Sequence, residues 1–206
     1  MFATPLNNND LYSQSPSLPE IVSLRHCAPV LLLTALSPAP IVVAADYLDV
    51  DAAQKAIYPD ADAFQQVVVN PSADQLQVLL ARTGEQPRHG MIRIWKATHQ
   101  GELLGHFFVD EVVGRQDLIT YAIGIDADGK LRNLEIMSYR ESHGGEIRNA
   151  YWRAQFNQRN SLDQLRFRTD IKNISGATLS SEHVTQGVRW LLALWQATLQ
   201  PGIQTR

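Results

Sequence analysis

The sequence predicts an α+β fold: an antiparallel sheet meander with flanking helices and a long C-terminal helix. Two observations predict it. Four consecutive runs, at 91–97, 103–113, 118–126 and 131–139, alternate apolar and polar residues as half-buried strands do. On either side of them, apolar residues recur at helical spacing, most clearly over the last stretch before Pro201.

Taken in order, residues 51–69 read as a short helix broken at Pro59 and then a brief extended run. Residues 72–82 read as a second helix, apolar at Leu76, Val78, Leu79 and Leu80 and ending before Gly84. The four strands follow, with "DADG" at 126–129 as the hairpin turn between the last two. After "RESHGGE" (140–146) a helix is expected over 147–157, with Trp152 and Phe156 spaced i, i+4. The final helix runs from about Ser180 to Gln200 on the stripe Val184, Val188, Leu191, Leu192, Trp195 and Leu199. All helices are expected on one face of the single sheet.

Composition narrows the functional classes. The chain has 206 residues, is 45% hydrophobic and 19% charged, and carries a net charge of −3. That is an ordinary globular balance with no electrostatic footprint for nucleic acid, so no nucleic-acid partner is expected. Residues 27–45, "CAPVLLLTALSPAPIVVAA", are uncharged and end in small residues before Asp46. They read as an export signal cleaved near Ala45 in preference to a retained anchor, which places the mature chain in the periplasm or another extracytoplasmic space. No Arg-Arg pair precedes the apolar run, so general secretion is the expected route. The polar stretch before residue 24 fits a signal poorly and reads as a start assigned too early, with Val22 or Leu24 as the alternative start. Cys27 is the one cysteine, so the mature chain has none. This excludes thiolate-held iron–sulfur clusters, thioether-bound haem and thiol redox chemistry. The expected organisation is an export signal at 1–45, a helical extension at 46–84, one domain at 85–200 and a tail at 201–206.

The stretch "DIKNISGATLSSEHV" (170–184) is rich in small and hydroxylated residues at the start of the last helix. A helix N-terminus offers unpaired N–H groups and about half a positive charge, and Gly176 and Ala177 leave room for an anion. Ser175, Thr178, Ser180 and Ser181 add donors. Phosphate binding and plain N-capping are both open on this chemistry. Glu141, His143 and Glu146 have no standard metal spacing, and no metal is expected. Glu182 and His183 beside Thr178 permit a weak hydrolase reading, since neighbours on one helix seldom align nucleophile and base.

Ser175-Gly176-Ala177-Thr178, followed by Leu179-Ser180, resembles the flavinylation signature of the FMN-binding domain family. That family includes the C subunit of sodium-pumping NADH:quinone oxidoreductase, the G subunit of Rnf-type complexes and exported flavin carriers. The strand meander, the "RESHGGEIR" loop, "WRAQF" and the terminal helix extend the resemblance over roughly 85–200. It implies covalent FMN, delivered from FAD by a flavin transferase and joined through its phosphate to Thr178. It places Ser175, Gly176, Ala177, Leu179 and Ser180 at the cofactor, with Glu141, His143 and Gly144 of the preceding loop beside it. Leu118 and Leu179 are candidates for an apolar ring pocket, and Trp152 lies close in sequence to the loop. The expected role is an electron carrier or redox subunit exchanging electrons with a membrane-bound donor or acceptor, and not an enzyme by itself, since the sequence shows no substrate-positioning acid/base set. The alternative is an exported sensor or interaction domain that binds flavin non-covalently or not at all. Family members often carry an acid three positions before the motif serine; here that position is Lys172, with Asp170 two residues further back.

Overall fold

The computed structural model describes residues 45–46, 48–86 and 92–201. The apolar run before Ala45, Cys27, the expected later start and residues 202–206 of the tail lie outside the described residues.

The strands are β1 (Ala45–Asp46), β2 (Ala63–Val67), β3 (Arg93–His99), β4 (Glu102–Val113), β5 (Leu118–Asp126) and β6 (Leu131–Tyr139). They form one antiparallel sheet in the order β1-β6-β5-β4-β3-β2. The meander β3–β6 is the expected one, and the extended run after Pro59 joins its far edge as β2. Gln100 and Gly101 turn β3 into β4 with φ of 51° and 84°, the left-handed pair that a two-residue hairpin demands. The "DADG" turn closes with Gly129 N–H on Asp126 O at 2.8 Å.

Helices α1 (Val50–Ile57), α2 (Ala73–Thr83), α3 (Ala150–Arg153) and α4 (Thr178–Thr198) complete the α+β architecture. Their starts are largely local chemistry. Asp49 caps α1 by accepting from Ala52 N at 2.7 Å, and Ser72 and Gln75 form a reciprocal capping box on α2. Gly84 ends α2 in the left-handed region, φ 71°.

The expectation that helices cover one face is corrected. α2 and α4 pack on the face of Phe108, Ile119, Tyr121 and Ile123, with Leu79, Val184, Val188 and Leu191. α1 covers the opposite face, setting Ala53, Ile57 and Tyr58 against Phe107, Val109, Ala122 and Met137. Adjacent strand residues point to opposite faces, so Phe107 and Phe108, both fully buried, need two covers. Gly124 makes room for α1: a Cβ there would lie 2.3 Å from Ile57 Cγ2.

The helix expected over 147–157 is instead three short pieces. A 3-10 turn at Gly145–Arg148 is followed by α3 and a second 3-10 turn at Ala154–Phe156. Asn149 breaks it: its ψ is 124°, and its side chain accepts from Tyr151 N to start α3 afresh. Trp152 and Phe156 still meet edge-on at 5.2 Å in the core.

Candidate functional site

Four segments converge where α4 begins. They are the β4–β5 turn at 114–117, the loop after β6, the approach 172–177, and the first turn of α4.

α4 starts at Thr178, with Ala177 as N-cap, and neither a capping side chain nor an acid serves its first turn. The plain capping reading of the surrounding hydroxyls is therefore corrected. Ser180 Oγ lies 3.2 Å from Tyr139 OH, Ser181 Oγ turns back to Ala177 O at 2.8 Å, and Thr178 Oγ1 accepts from Asn173 Nδ2 at 3.3 Å. The positive end of a 21-residue helix is left without a side-chain counterpart. Gly176 sits at φ 83°, where a Cβ would meet nothing within 4 Å, so this glycine serves the backbone and the space above it is open.

The loop after β6 is locked to this terminus. Tyr139 OH donates to His143 O at 2.6 Å and receives Ser180 Oγ on its other side. Gly144, at φ 88°, lets the loop approach: a Cβ there would fall 2.4 Å from Ala177 Cβ. The β4–β5 turn is held by one carboxylate. Glu141 Oε1 accepts backbone N–H groups from Arg115, from Gln116 at 2.7 Å and from Asp117 at 3.1 Å. Burial pushes this carboxyl up, but the three amide donors and the Arg115 charge outweigh it and hold its pKa below the usual value. His183 fastens the helix to the sheet through Nδ1–H on Val113 O at 2.5 Å.

Between these segments lies a cavity of about 390 Å³. Arg115 and Gln116 line it from one side, Glu141, Ser142 and His143 from another, and Gly176 through Ser180 from the helix. The structure thus brings Thr178, Gly176, Ala177, Leu179, Ser180, Glu141 and His143 together. Ser175 is exposed on the turn before them, and Gly144 is buried behind Ala177, so neither lines the cavity. Leu118 lies outside the lining, opposite Val113 at the start of β5. Trp152 is a core residue whose Nε1 donates to Lys172 O at 2.8 Å, anchoring the approach to α4.

Arg115 and Gln116 escaped sequence reasoning. "GRQD" reads only as a hydrophilic turn, and its place beside Thr178 depends on the strand pairing. Arg115 is exposed, and its guanidinium makes no hydrogen bond among the described residues.

What the site can do follows from these atoms. A helix N-terminus without a side-chain cap, an open glycine and an arginine favour an anion, and a cavity of this size suits a small cofactor. The Thr178–His183 hydrolase relay is not assembled, because Asn173 engages Thr178 and Val113 O engages His183. Among the described residues no three His, Cys, Asp or Glu side chains gather as a metal site, and no helix is long and apolar enough to cross a membrane.

Comparison with known proteins agrees with this chemistry. Residues 114–193 match the model of the FMN-binding domain family. No curated protein matches the chain. The match opens at the β4–β5 turn and closes within α4, so it contains Arg115, Glu141, His143 and Thr178. Over residues 114–193 the chain is similar to the FMN-binding domain family.

Proposed function

We propose that the protein is an exported electron carrier whose single FMN is joined through its phosphate to Thr178 Oγ1. The observation that carries this reading is the half-exposed Thr178 hydroxyl, set at an α4 N-terminus without a side-chain cap and on the wall of the cavity that Arg115 shares. A phosphodiester there keeps one negative charge, which the helix terminus and Arg115 favour. Exposed Leu179 lines the cavity and offers apolar surface to a flavin ring. FMN supplies the redox chemistry when bound, while the chain supplies position and charge.

Attachment needs a partner. Thr178 Oγ1 forms a bond to the FMN-side phosphorus of FAD, the P–O–P link breaks, AMP leaves, and the hydroxyl proton goes to a base. Glu141 is committed to the 115–117 amides and His183 to Val113 O, and we assign the base to a flavin transferase. A donor or acceptor in the membrane then exchanges electrons with the exported domain.

The test is co-expression with a flavin transferase, followed by denaturing electrophoresis under ultraviolet light. The wild-type band fluoresces and Thr178→Val is dark, while its stability stays within about 0.5 kcal/mol of wild type. A dark wild-type band beside a labelled control protein sinks the covalent reading.

A second reading, non-covalent FMN, is favoured by one feature. Lys172 replaces the acid common in the family, and Asp170 does not stand in for it: its carboxylate faces Arg166 Nε at 3.2 Å and Arg166 N at 2.8 Å. Under that reading the purified protein is yellow and loses its colour on denaturation.

A further inference from the structure

We infer that Asn173 is the positioning residue of the Thr178 hydroxyl, an assignment that rests on the covalent reading above. Its amide spans two hydroxyls. Nδ2–H donates to Thr178 Oγ1 at 3.3 Å, and Oδ1 faces Ser181 Oγ at 3.2 Å. Ser181 is fully buried and its hydroxyl also reaches the Ala177 and Thr178 carbonyls, so it is a fixed point inside the first turn of α4. The backbone leading into Asn173 is fixed as well. Lys172 N donates to Gln155 Oε1 at 2.8 Å, and Lys172 O accepts from the Trp152 indole at 2.8 Å. Asn173 is therefore braced at its backbone and at its carbonyl end, and the remaining N–H is delivered to the threonine oxygen.

Two consequences follow. The N–H selects one Thr178 rotamer among the staggered three, the one that holds Oγ1 within reach of the amide. It also stabilises negative charge on that oxygen as the bond to phosphorus forms and the proton departs to the transferase. The amide leaves the hydroxyl's own hydrogen free for that base. Asn173 touches the acceptor oxygen but donates no atom to the product.

The experiment compares the full chain with Asn173→Ala and Asn173→Leu. The leucine keeps the outline of the amide and removes both the N–H and the oxygen. Three-bond couplings to the Thr178 methyl carbon in the flavin-free protein report its rotamer, with no transferase present. Wild type should show a single rotamer, and both variants an averaged one, while amide spectra elsewhere and melting remain those of wild type. With transferase and FAD, the single-turnover labelling rate should fall about tenfold in both variants, the rate equivalent of one lost hydrogen bond. A single rotamer in Asn173→Leu, or labelling at or above the wild-type rate, overturns the assignment. If wild type takes no flavin while a control protein does, the covalent reading fails on its own, and the rotamer couplings still decide whether Asn173 holds Thr178.

Discussion

Glu141 is the residue at which function and structure are most easily confused. By sequence it belongs to a loop beside the cofactor, and it does line the cavity. Its carboxylate, however, is spent on three backbone N–H groups of the β4–β5 turn, and so it holds Arg115 in place without needing to touch a ligand. Gly114 is part of the same fitting: a Cβ there would fall 2.4 Å from Glu141 Oε1. Glu141→Gln keeps one acceptor oxygen and loses the charge, which should cost about 1 kcal/mol in this partly solvated position. The pH dependence has a definite sign. The folded pKa is depressed below 4.5, so the stabilisation is fully present above that value and is lost as pH falls through the folded pKa. Urea denaturation from pH 7 to pH 3 checks this: the gap between wild type and Glu141→Gln should close only at the acid end, and a gap independent of pH contradicts the assignment.

Among the elements, α4 carries two tasks along its length. Its first turn presents Thr178 to the cavity, and its last turns close the core over β4. At that far end Trp195 Nε1 donates to His106 Nδ1 at 3.1 Å, so the imidazole must be neutral there with its proton on Nε2. Burial, with a smaller push from Lys96, lowers the His106 pKa from 6.5 to about 4. The unfolded chain therefore binds the extra proton first. Stability attributable to this contact is complete above pH 6.5 and declines as pH falls toward 4. An NMR titration of the imidazole carbons should show His106 still neutral at pH 5.5, and a midpoint near 6.5 would refute the buried contact. Elsewhere the elements show how local signals succeed and fail. Ser72–Gln75 and Gly84 bracket α2 through their own side chains and backbone, so its limits are readable from the residues. The stretch 147–157 has a helical spacing of aromatics, yet Asn149 takes its own cap and divides it.

At the scale of the whole molecule, the sheet carries a buried core on each face. Ile57 of α1 and Leu191 of α4 lie on opposite faces and are 2% and 0% exposed. Each truncation to alanine should cost about 2–4 kcal/mol. Because β4 and β5 belong to both cores, both variants should shift one common cooperative transition without adding a second. Calorimetry decides this: an early, separate transition in Ile57→Ala alone would mean that the α1 face melts independently.

The sequence by itself determined the class, the meander and the long last helix. Those features are local: alternation, turn chemistry and cap residues act over a few neighbours. It also held an unread hint of the second core, since "HFFV" in β4 is apolar on successive residues, as a strand covered twice must be. Only the tertiary structure decided that α1 covers the other face, that Gly144 is packing against Ala177, and that Arg115 shares a cavity with Thr178. Each of those depends on contacts between segments tens of residues apart. Pairing register and helix docking set such contacts, and no single stretch of chain encodes them.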